Sequence, residues 1–339
     1  MTQNFFWGSV FMYADEKAET MTREEISALQ LERLKQIVSY AAEKSSFYRN
    51  EFQKAGFKPE DIQTLSDVKK IPFLTFEMFH RADPFDLLTL PLSGIIRVHH
   101  IDDSEGEVTK FYTREDVRKN VEMSSGALVA AGIHRASVVG LQGDLSDNKF
   151  LDVLYSLESI GATVIPLGTD YRRWLKCLEI FGPDTIVTTP QLVMQLIIQL
   201  QAVGENIADC EVKKIVCINL NNIQNPLQQH IEMRAETEVF NLFSPPEIGT
   251  PGMIYQCETN AAHHVREDNF LIELVKFSGD EIIDEDDCMG ELVITTLSAQ
   301  AMPLIRYRTG QAVRRISELC PCGRTFVRIA TPYTKPEEE

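Results

Sequence analysis

The chain has 339 residues, room for one large domain or two ordinary ones, and its 44% hydrophobic and 24% charged residues are typical of a globular protein. Its 33 basic and 50 acidic side chains give a formal net charge of −17, which argues against binding to nucleic acid or to an anionic membrane. No apolar run approaches the roughly 20 residues of a membrane-spanning helix, and no secretory signal is recognisable. We therefore expect a cytoplasmic protein whose seven cysteines are thiols or metal ligands rather than disulfides.

The segment 1–112 is predicted to be mainly helical. Thr22-x-x-Glu25 is a capping box, in which the hydroxyl and the carboxylate satisfy free amides at a helix start, and the helix should run to about Lys44. Aromatic residues spaced between turns from 47 to 90 favour helices that pack onto a larger body. We interpret 1–112 as the N-terminal helical part of a large domain.

Strand and helix patterns alternate over 113–252. Thr113-x-x-Asp116 is a second capping box at the start of the first of these helices. The predicted strands are 137–142, 162–166, 184–188, 213–220 and 237–243, and the later helices are one from 148 and those over 171–181, 190–202 and 226–234. Such alternation predicts an α/β core with a parallel sheet covered by helices on both faces.

The segment 253–330 has no helical pattern. Short strands are predicted over 270–276, 291–297 and 312–316, joined by acidic turns, which indicates a small β subdomain. Residues 331–339 are expected to form a disordered tail.

Several short motifs follow one another in a fixed order along the chain. The most specific are Pro303-Leu-Ile-Arg-Tyr-Arg-Thr-Gly310 and Cys320-Pro-Cys-Gly-Arg324, preceded by Lys70-Ile-Pro-Phe-Leu-Thr75, Arg97-Val-His99 and Gly161-Ala-Thr-Val-Ile-Pro166. In this order they resemble the phenylacetate–coenzyme A ligase family of the adenylate-forming superfamily. The resemblance implies the large domain of that fold, in an enzyme that uses ATP and Mg²⁺ to activate a carboxylate and then transfers the acyl group to coenzyme A.

The phosphate loop of the family is altered in this sequence. At 100–109 the chain keeps Ser104, Gly106 and Thr109 as candidate nucleotide contacts, but Glu107 stands where the family has a lysine. Further acidic residues in the loop would repel phosphate, and their spacing does not match a calcium-binding loop. A solvated acidic loop is therefore the favoured interpretation.

The segment that binds adenine and magnesium in the family reads Phe243-Ser-Pro-Pro-Glu247. By resemblance, Phe243 would stack on adenine and Glu247 would help hold Mg²⁺ as the one residue with a catalytic role, whereas Pro246 has no hydroxyl to offer. The alternative is a rigid loop in which Phe243 lies in the core and Glu247 in solvent.

Two further departures concern the ribose contact and the lid. Gln311 replaces the aspartate whose two oxygens accept hydrogen bonds from ribose in the family, and an amide has only one acceptor oxygen. Only 324–339 follow Gly323, so the C-terminal lid domain of the family is expected to be absent. Lys335, near the end of the chain, has no scaffold to position it.

Cys257-x6-His264 and Cys320-Pro-Cys322 offer three thiolates and an imidazole, the ligand set of a closed tetrahedral zinc site. The resemblance implies a structural zinc at matching segments, which would tie the start of the β subdomain to its end. Buried free cysteines are the alternative, and His263, a rival ligand, is expected to face solvent. The remaining cysteines are interpreted as core or surface thiols: Cys177, Cys210, Cys217 and Cys288.

Three hypotheses about function follow. The leading one is a catalytically degenerate ligase-like pseudoenzyme with a structural zinc that binds a small carboxylate, an acyl-coenzyme A or a partner ligase. The second is a divergent ATP-dependent carboxylate–coenzyme A ligase that uses a lid from another chain, and the third is a structural interaction module. A homodimer is an open possibility, and neither a nucleic acid nor a membrane is an expected partner.

Overall fold

The computed structural model describes residues 13–332 except 104–105, 169, 220–221, 260–261, 278 and 286–287. At residues 102, 103, 106 and 171 it describes the backbone alone.

Short and long helices form the N-terminal part. They are α1 (Glu16–Glu19), α2 (Arg23–Lys44), α3 (Ser46–Ala55), α4 (Phe76–Arg81) and α5 (Pro84–Leu87). The predicted capping box of α2 is present, because Thr22 accepts a hydrogen bond from the amide of Glu25 and Glu25 accepts one from the amide of Thr22. The end of α2 at Lys44 also confirms the prediction.

An antiparallel hairpin, β1 (Arg97–Asp103) and β2 (Gly106–Tyr112), follows these helices. This hairpin was not predicted, because several acidic residues interrupt the alternation of polar and apolar side chains in this stretch of the sequence. Val98 and His100 are exposed, whereas His99 between them is buried.

The predicted α/β alternation is confirmed. The helices are α6 (Arg114–Ala130), α7 (Asn148–Ile160), α8 (Tyr171–Phe181), α9 (Pro190–Ala202) and α10 (Gln228–Ala235). The strands are β3 (Val138–Leu141), β4 (Thr163–Pro166), β5 (Thr185–Thr188), β6 (Lys214–Asn219) and β7 (Glu238–Phe243), and all their pairings are parallel.

The later strands extend the same sheet. They are β8 (Ile254–Gln256), β9 (His263–Val265), β10 (Phe270–Val275), β11 (Met289–Thr296), β12 (Tyr307–Ile316) and β13 (Arg328–Ala330). Over the described residues the strand order is β10-β11-β12-β13-β9-β8-β7-β6-β5-β3-β4. Because β8 pairs antiparallel with β7, the strands of the predicted β subdomain and the parallel strands share one mixed sheet.

The hydrophobic core crosses the predicted divisions of the chain. One buried cluster joins Leu34 of α2, Phe243 of β7 and Ile294 of β11. A second joins Leu141 of β3 with Cys322 near the end of the described chain. None of the helices in the described part of the chain combines the length and apolar composition that a bilayer crossing requires.

Candidate functional site

A cleft of about 390 Å³ opens at the carboxyl ends of β5, β6 and β7. Thr189 follows β5, Asn219 ends β6, and Pro246 lies in the loop after β7. Ile101 of β1 contributes from the hairpin. Because parallel α/β sheets bind their ligands at this edge, the cleft is the candidate ligand site.

Amide side chains dominate the polar part of this cleft: Gln191, Asn219, Asn222, Gln224 and Asn225. Lys149, at the start of α7, supplies the one cation among the described residues that line it, and no lining residue is a carboxylate. Lys149 also forms an ion pair with Asp147. The lining that the structure describes is thus polar, and its one charged side chain, Lys149, is paired with Asp147.

The altered phosphate loop contributes little to this cleft. Ser104 lies outside the described residues, and Gly106 pairs with Asp103 next to the turn of the hairpin. Thr109 on β2 lines a separate, smaller cleft, and its Oγ1 lies 3.1 Å from Nδ1 of His100. The Glu107 side chain is 70% exposed and lies in the same small cleft as Thr109.

Neither Phe243 nor Glu247 faces open solvent. Phe243 is fully buried in the core, as the alternative interpretation predicts. Glu247 is only 3% exposed, so the expectation of a solvated side chain is wrong. Its Oε1 lies 3.3 Å from Nε2 of His80 on α4, and burial together with Glu247 raises the pKa of Tyr307. The packing of α4 against the loop after β7 accounts for this burial.

Gln311 and its neighbouring arginines have partners within the protein. Oε1 of Gln311 accepts a hydrogen bond from the amide of Ile223 at 3.3 Å. Arg306 forms a buried ion pair with Glu273, with 2.9 Å between Nη2 and Oε1. The guanidinium of Arg308 is bound in the same way by Glu291. Packing and ion pairing thus explain why the chain keeps Arg306 and Arg308 of the family motif.

The structure brings the four predicted metal ligands together. Ligand atoms of Cys257, His264, Cys320 and Cys322 all lie within 4.8 Å of one another, and all four residues are buried. Cys257 follows β8, His264 lies on β9, and the other two lie in the turn before β13. A hydrogen bond from Cys322, with others from His264 and Thr259, lowers the pKa of the Cys257 thiol against the opposing effect of burial.

The distances between these ligand atoms fit one tetrahedrally coordinated metal ion. Two thiolates on one zinc lie ~3.8 Å apart, and a thiolate and an imidazole nitrogen lie ~3.5 Å apart. Here the sulfurs of Cys257 and Cys320 are 3.6 Å apart, and Sγ of Cys322 is 3.4 Å from Nε2 of His264. Nδ1 of His264 lies 3.3 Å from the carbonyl oxygen of Phe326, the kind of outer contact that orients a ligating histidine.

His263 does not take part in this cluster. It was expected to face solvent, but it is buried, and burial lowers its pKa to about 4. The two histidines point to opposite faces of β9 because successive strand residues alternate. Cys217 is buried, Cys177, Cys210 and Cys288 are partly exposed, and none of these four forms a disulfide within the described residues.

Sequence reasoning did not single out His80 or Lys149. His80 meets Glu247 across 167 positions, so no local spacing could have revealed the contact. Lys149 lies one residue after the start of α7, and the carboxyl-edge rule for parallel sheets could have indicated it.

Comparison with known proteins places the chain among ligases. No family model matches it. It is 32% identical over 328 residues to the phenylacetate-coenzyme A ligase of Thermus thermophilus, which covers 94% of this chain and 72% of the relative. The phenylacetate-coenzyme A ligase of Escherichia coli K12 is 31% identical over 324 residues, covering 92% of this chain and 72% of that protein.

The fold is also found among solved structures. An open conformation of 2-hydroxyisobutyryl-CoA ligase, in complex with 2-HIB-AMP and CoA, superposes with a TM-score of 0.86 at 21% identity, over 97% of this chain and 79% of that one. The fold is therefore that of an adenylate-forming CoA ligase, and the sequence similarity shows that the chain belongs to the phenylacetate–coenzyme A ligase family.

Proposed function

We propose that this protein is a degenerate member of its family that binds a small carboxylate, or its acyl-coenzyme A, without activating it with ATP. The observation that carries the proposal is that Phe243 and Glu247 are buried and that Gln311 is already bonded to the protein. The cleft at the carboxyl ends of β5, β6 and β7 is the binding site in this proposal.

Glu247 and Phe243 support the loss of nucleotide contacts. A magnesium ligand needs carboxylate oxygens that can reach the ion and its waters, but Glu247 is buried and contacts His80. An aromatic ring stacks on a base only through an open face, and Phe243 is fully buried.

Gln311 and Glu107 support the loss of the contacts to ribose and to phosphate. The one acceptor oxygen of Gln311 already accepts from Ile223, so it is a poor substitute for a free carboxylate. Glu107 replaces a cation by an anion, and a carboxylate ~4 Å from a phosphate charge costs about 1 kcal/mol in water and ~4 kcal/mol at an effective dielectric of 20.

The cleft itself keeps features that suit a carboxylate. Lys149 is a cation at its wall, and the amides of Asn222 and Gln224 can donate hydrogen bonds. Its volume lies within the range of small-molecule sites.

Calorimetry tests this proposal. We expect no saturable heat from MgATP or AMP up to low-millimolar concentration, and saturable heat from phenylacetate or phenylacetyl-coenzyme A without nucleotide. Saturable binding of MgATP by the unmodified protein would contradict the proposal and favour the active-ligase hypothesis. The absence of heat from both kinds of ligand would instead favour an interaction module.

A gain-of-function variant sharpens the test. Glu107→Lys combined with Gln311→Asp restores the charges that the family has at these positions, and we expect nucleotide affinity to rise at least about tenfold. The matched control is Glu205→Lys with Gln311→Asp, because Glu205 is exposed and follows α9 at the opposite edge of the sheet. An equal gain in both variants would show that a lysine at position 107 has no specific effect on nucleotide binding.

We also propose that Cys257, His264, Cys320 and Cys322 hold a structural zinc ion. The support is the buried, closed donor set at distances suited to one tetrahedral ion. Such an ion would tie β8 and β9 to the turn before β13. Elemental analysis of protein purified without chelator should find about one zinc per chain, and a metal-free, folded preparation would refute the assignment.

A further inference from the structure

Lys110 on β2 is a buried cation outside the sites considered above. Its side chain is 5% exposed, and among the described residues its one hydrogen-bond acceptor is the carbonyl oxygen of Met302, 3.3 Å from Nζ. An ammonium group has three donors, so two of them lack a protein acceptor. A structural lysine in the interior is normally paired with a carboxylate, and Lys110 forms no such ion pair with the residues that the structure describes.

The carboxylates nearest to Lys110 are bonded to other groups. Both oxygens of Asp116 are occupied, since they accept hydrogen bonds from Thr113 and from the amides of Gln300 and Ala301. Glu247 contacts His80. Burial lowers the pKa of Lys110 to about 8, and the negative charges of Asp116 and Glu247 oppose that effect only in part.

Lys110 lines a cleft of about 50 Å³ that shares no lining residue with the cleft at the carboxyl ends of β5, β6 and β7. Apolar side chains supply the larger part of its wall, from Phe111, Met123, Ile248, Phe270 and Met302, and the carboxylate of Asp116 also lines it. Lys119, Asn120 and Ser298 are partly exposed lining residues, so the cleft reaches the surface there. At about 30 Å³ per water molecule the volume holds one or two waters, which corresponds to a compound of about two or three non-hydrogen atoms.

We propose that Lys110 is a reactive amine that forms an imine with small aliphatic aldehydes or ketones that enter this cleft. A desolvated lysine in an apolar pocket is a recognised nucleophile for carbonyl compounds. The lone pair of the neutral amine attacks the carbonyl carbon, the nitrogen loses two protons overall, and the carbonyl oxygen leaves as water. The product is a C=N bond to Nζ, and the step needs no oxidant or reductant.

The proposal is independent of the carboxylate site, and reductive trapping in the wild-type protein tests it. The protein is incubated with acetaldehyde and cyanoborohydride, which reduces each imine to a stable secondary amine, and peptide mass spectrometry gives the rate at each lysine. We expect Lys110 to react at least about tenfold faster than the exposed Lys54 at neutral pH, because burial lowers the pKa of Lys110 to about 8. Equal or slower reaction at Lys110 would overturn the proposal.

Two controls separate a reactive site from a merely structural lysine. Benzaldehyde exceeds the cleft volume, so it should label exposed lysines but not Lys110, whereas equal labelling of Lys110 by both aldehydes would contradict the cleft assignment. In urea the preference for Lys110 should disappear. The variant Lys54→Met, on α3 and away from this cleft, should leave the rate at Lys110 unchanged, and Lys110→Met should remove only the fast-reacting peptide.

Discussion

At the scale of single residues, Glu19 and Arg324 form an ion pair inside the protein. Nε of Arg324 lies 2.6 Å from Oε2 of Glu19, and both side chains are 1% exposed. The pair joins α1 to the turn that contains Cys322, at opposite ends of the described chain. Removing one partner of such a pair leaves an uncompensated buried charge.

We therefore expect Glu19→Ala to lower the free energy of unfolding by about 3–5 kcal/mol, measured by urea denaturation. The matched control is Glu122→Ala, which removes an exposed partner of Arg118 and should have little measurable effect. Equal effects of the two variants would show that burial of the Glu19–Arg324 pair is energetically unimportant.

Lys110 should give the protein a distinctive dependence of stability on pH. Below pH 8 the lysine is protonated in both the folded and the unfolded chain, whereas between its folded pKa of about 8 and its ordinary value of 10.5 only the unfolded chain holds the proton. Stability rises with pH wherever the unfolded state binds more protons.

The free energy of unfolding of the wild type, relative to Lys110→Met, should thus increase by up to about 3 kcal/mol between pH 7.5 and pH 10. The negative charges of Asp116 and Glu247 raise the pKa of Lys110 in the wild type. The variants Asp116→Asn and Glu247→Gln should therefore start the rise in stability at a lower pH. A difference that does not change with pH would contradict the unpaired character of Lys110.

The sequence predicted the identity of site residues better than their surroundings. The spacing of Cys257, His264, Cys320 and Cys322, together with the family resemblance, was enough to group them, and the structure brings their ligand atoms within 4.8 Å of one another. The burial of Glu247 could not be predicted, since it depends on His80 from a distant helix. Residue type alone likewise gave no sign that Lys110 would be enclosed.

At the scale of secondary structure, local signals decided what could be predicted. Helices α8 and α9 have the predicted bounds, 171–181 and 190–202, because each begins at a capping residue or an N-terminal proline and carries a clear apolar face. The hairpin β1–β2 has no such signal, and its strand β2 packs against α4 and α6, which lie elsewhere in the sequence. The antiparallel pairing of β8 with β7 is a tertiary contact that no local sequence pattern indicates.

The metal cluster acts at the same scale, because it would join short strands. Strands β8, β9 and β13 have three residues each and can hold little structure alone. We expect Cys322→Ser to reduce bound zinc from about one per chain to near zero and to lower the melting temperature by several degrees.

Cys177→Ser on α8 is the matched control, because this thiol lies outside the cluster, and it should change neither zinc content nor melting temperature appreciably. Elemental analysis and calorimetric melting provide the two readouts. Full zinc content in Cys322→Ser would show that Cys322 is not a ligand.

At the scale of the whole molecule, one sheet and shared cores join the parts of the chain that the sequence divides. The sheet runs from β10 to β4 without a break among the described strands. A single hydrophobic cluster contains residues of α2, β7 and β11, and another contains residues of β3 and the turn around Cys322. Because buried apolar area is the main stabilising contribution, these parts depend on one another for stability.

Hydrogen exchange under increasing denaturant tests this mutual dependence. Peptides that cover β6 (Lys214–Asn219) and β12 (Tyr307–Ile316) should report the same free energy of opening, close to that of global unfolding. The reason is that neither the parallel strands nor the antiparallel strands can keep their shared apolar faces covered after the other part has opened. If β12 exchanged at low denaturant while β6 stayed protected, the two parts would be separate cooperative units, and the division near residue 252 would also be a thermodynamic one.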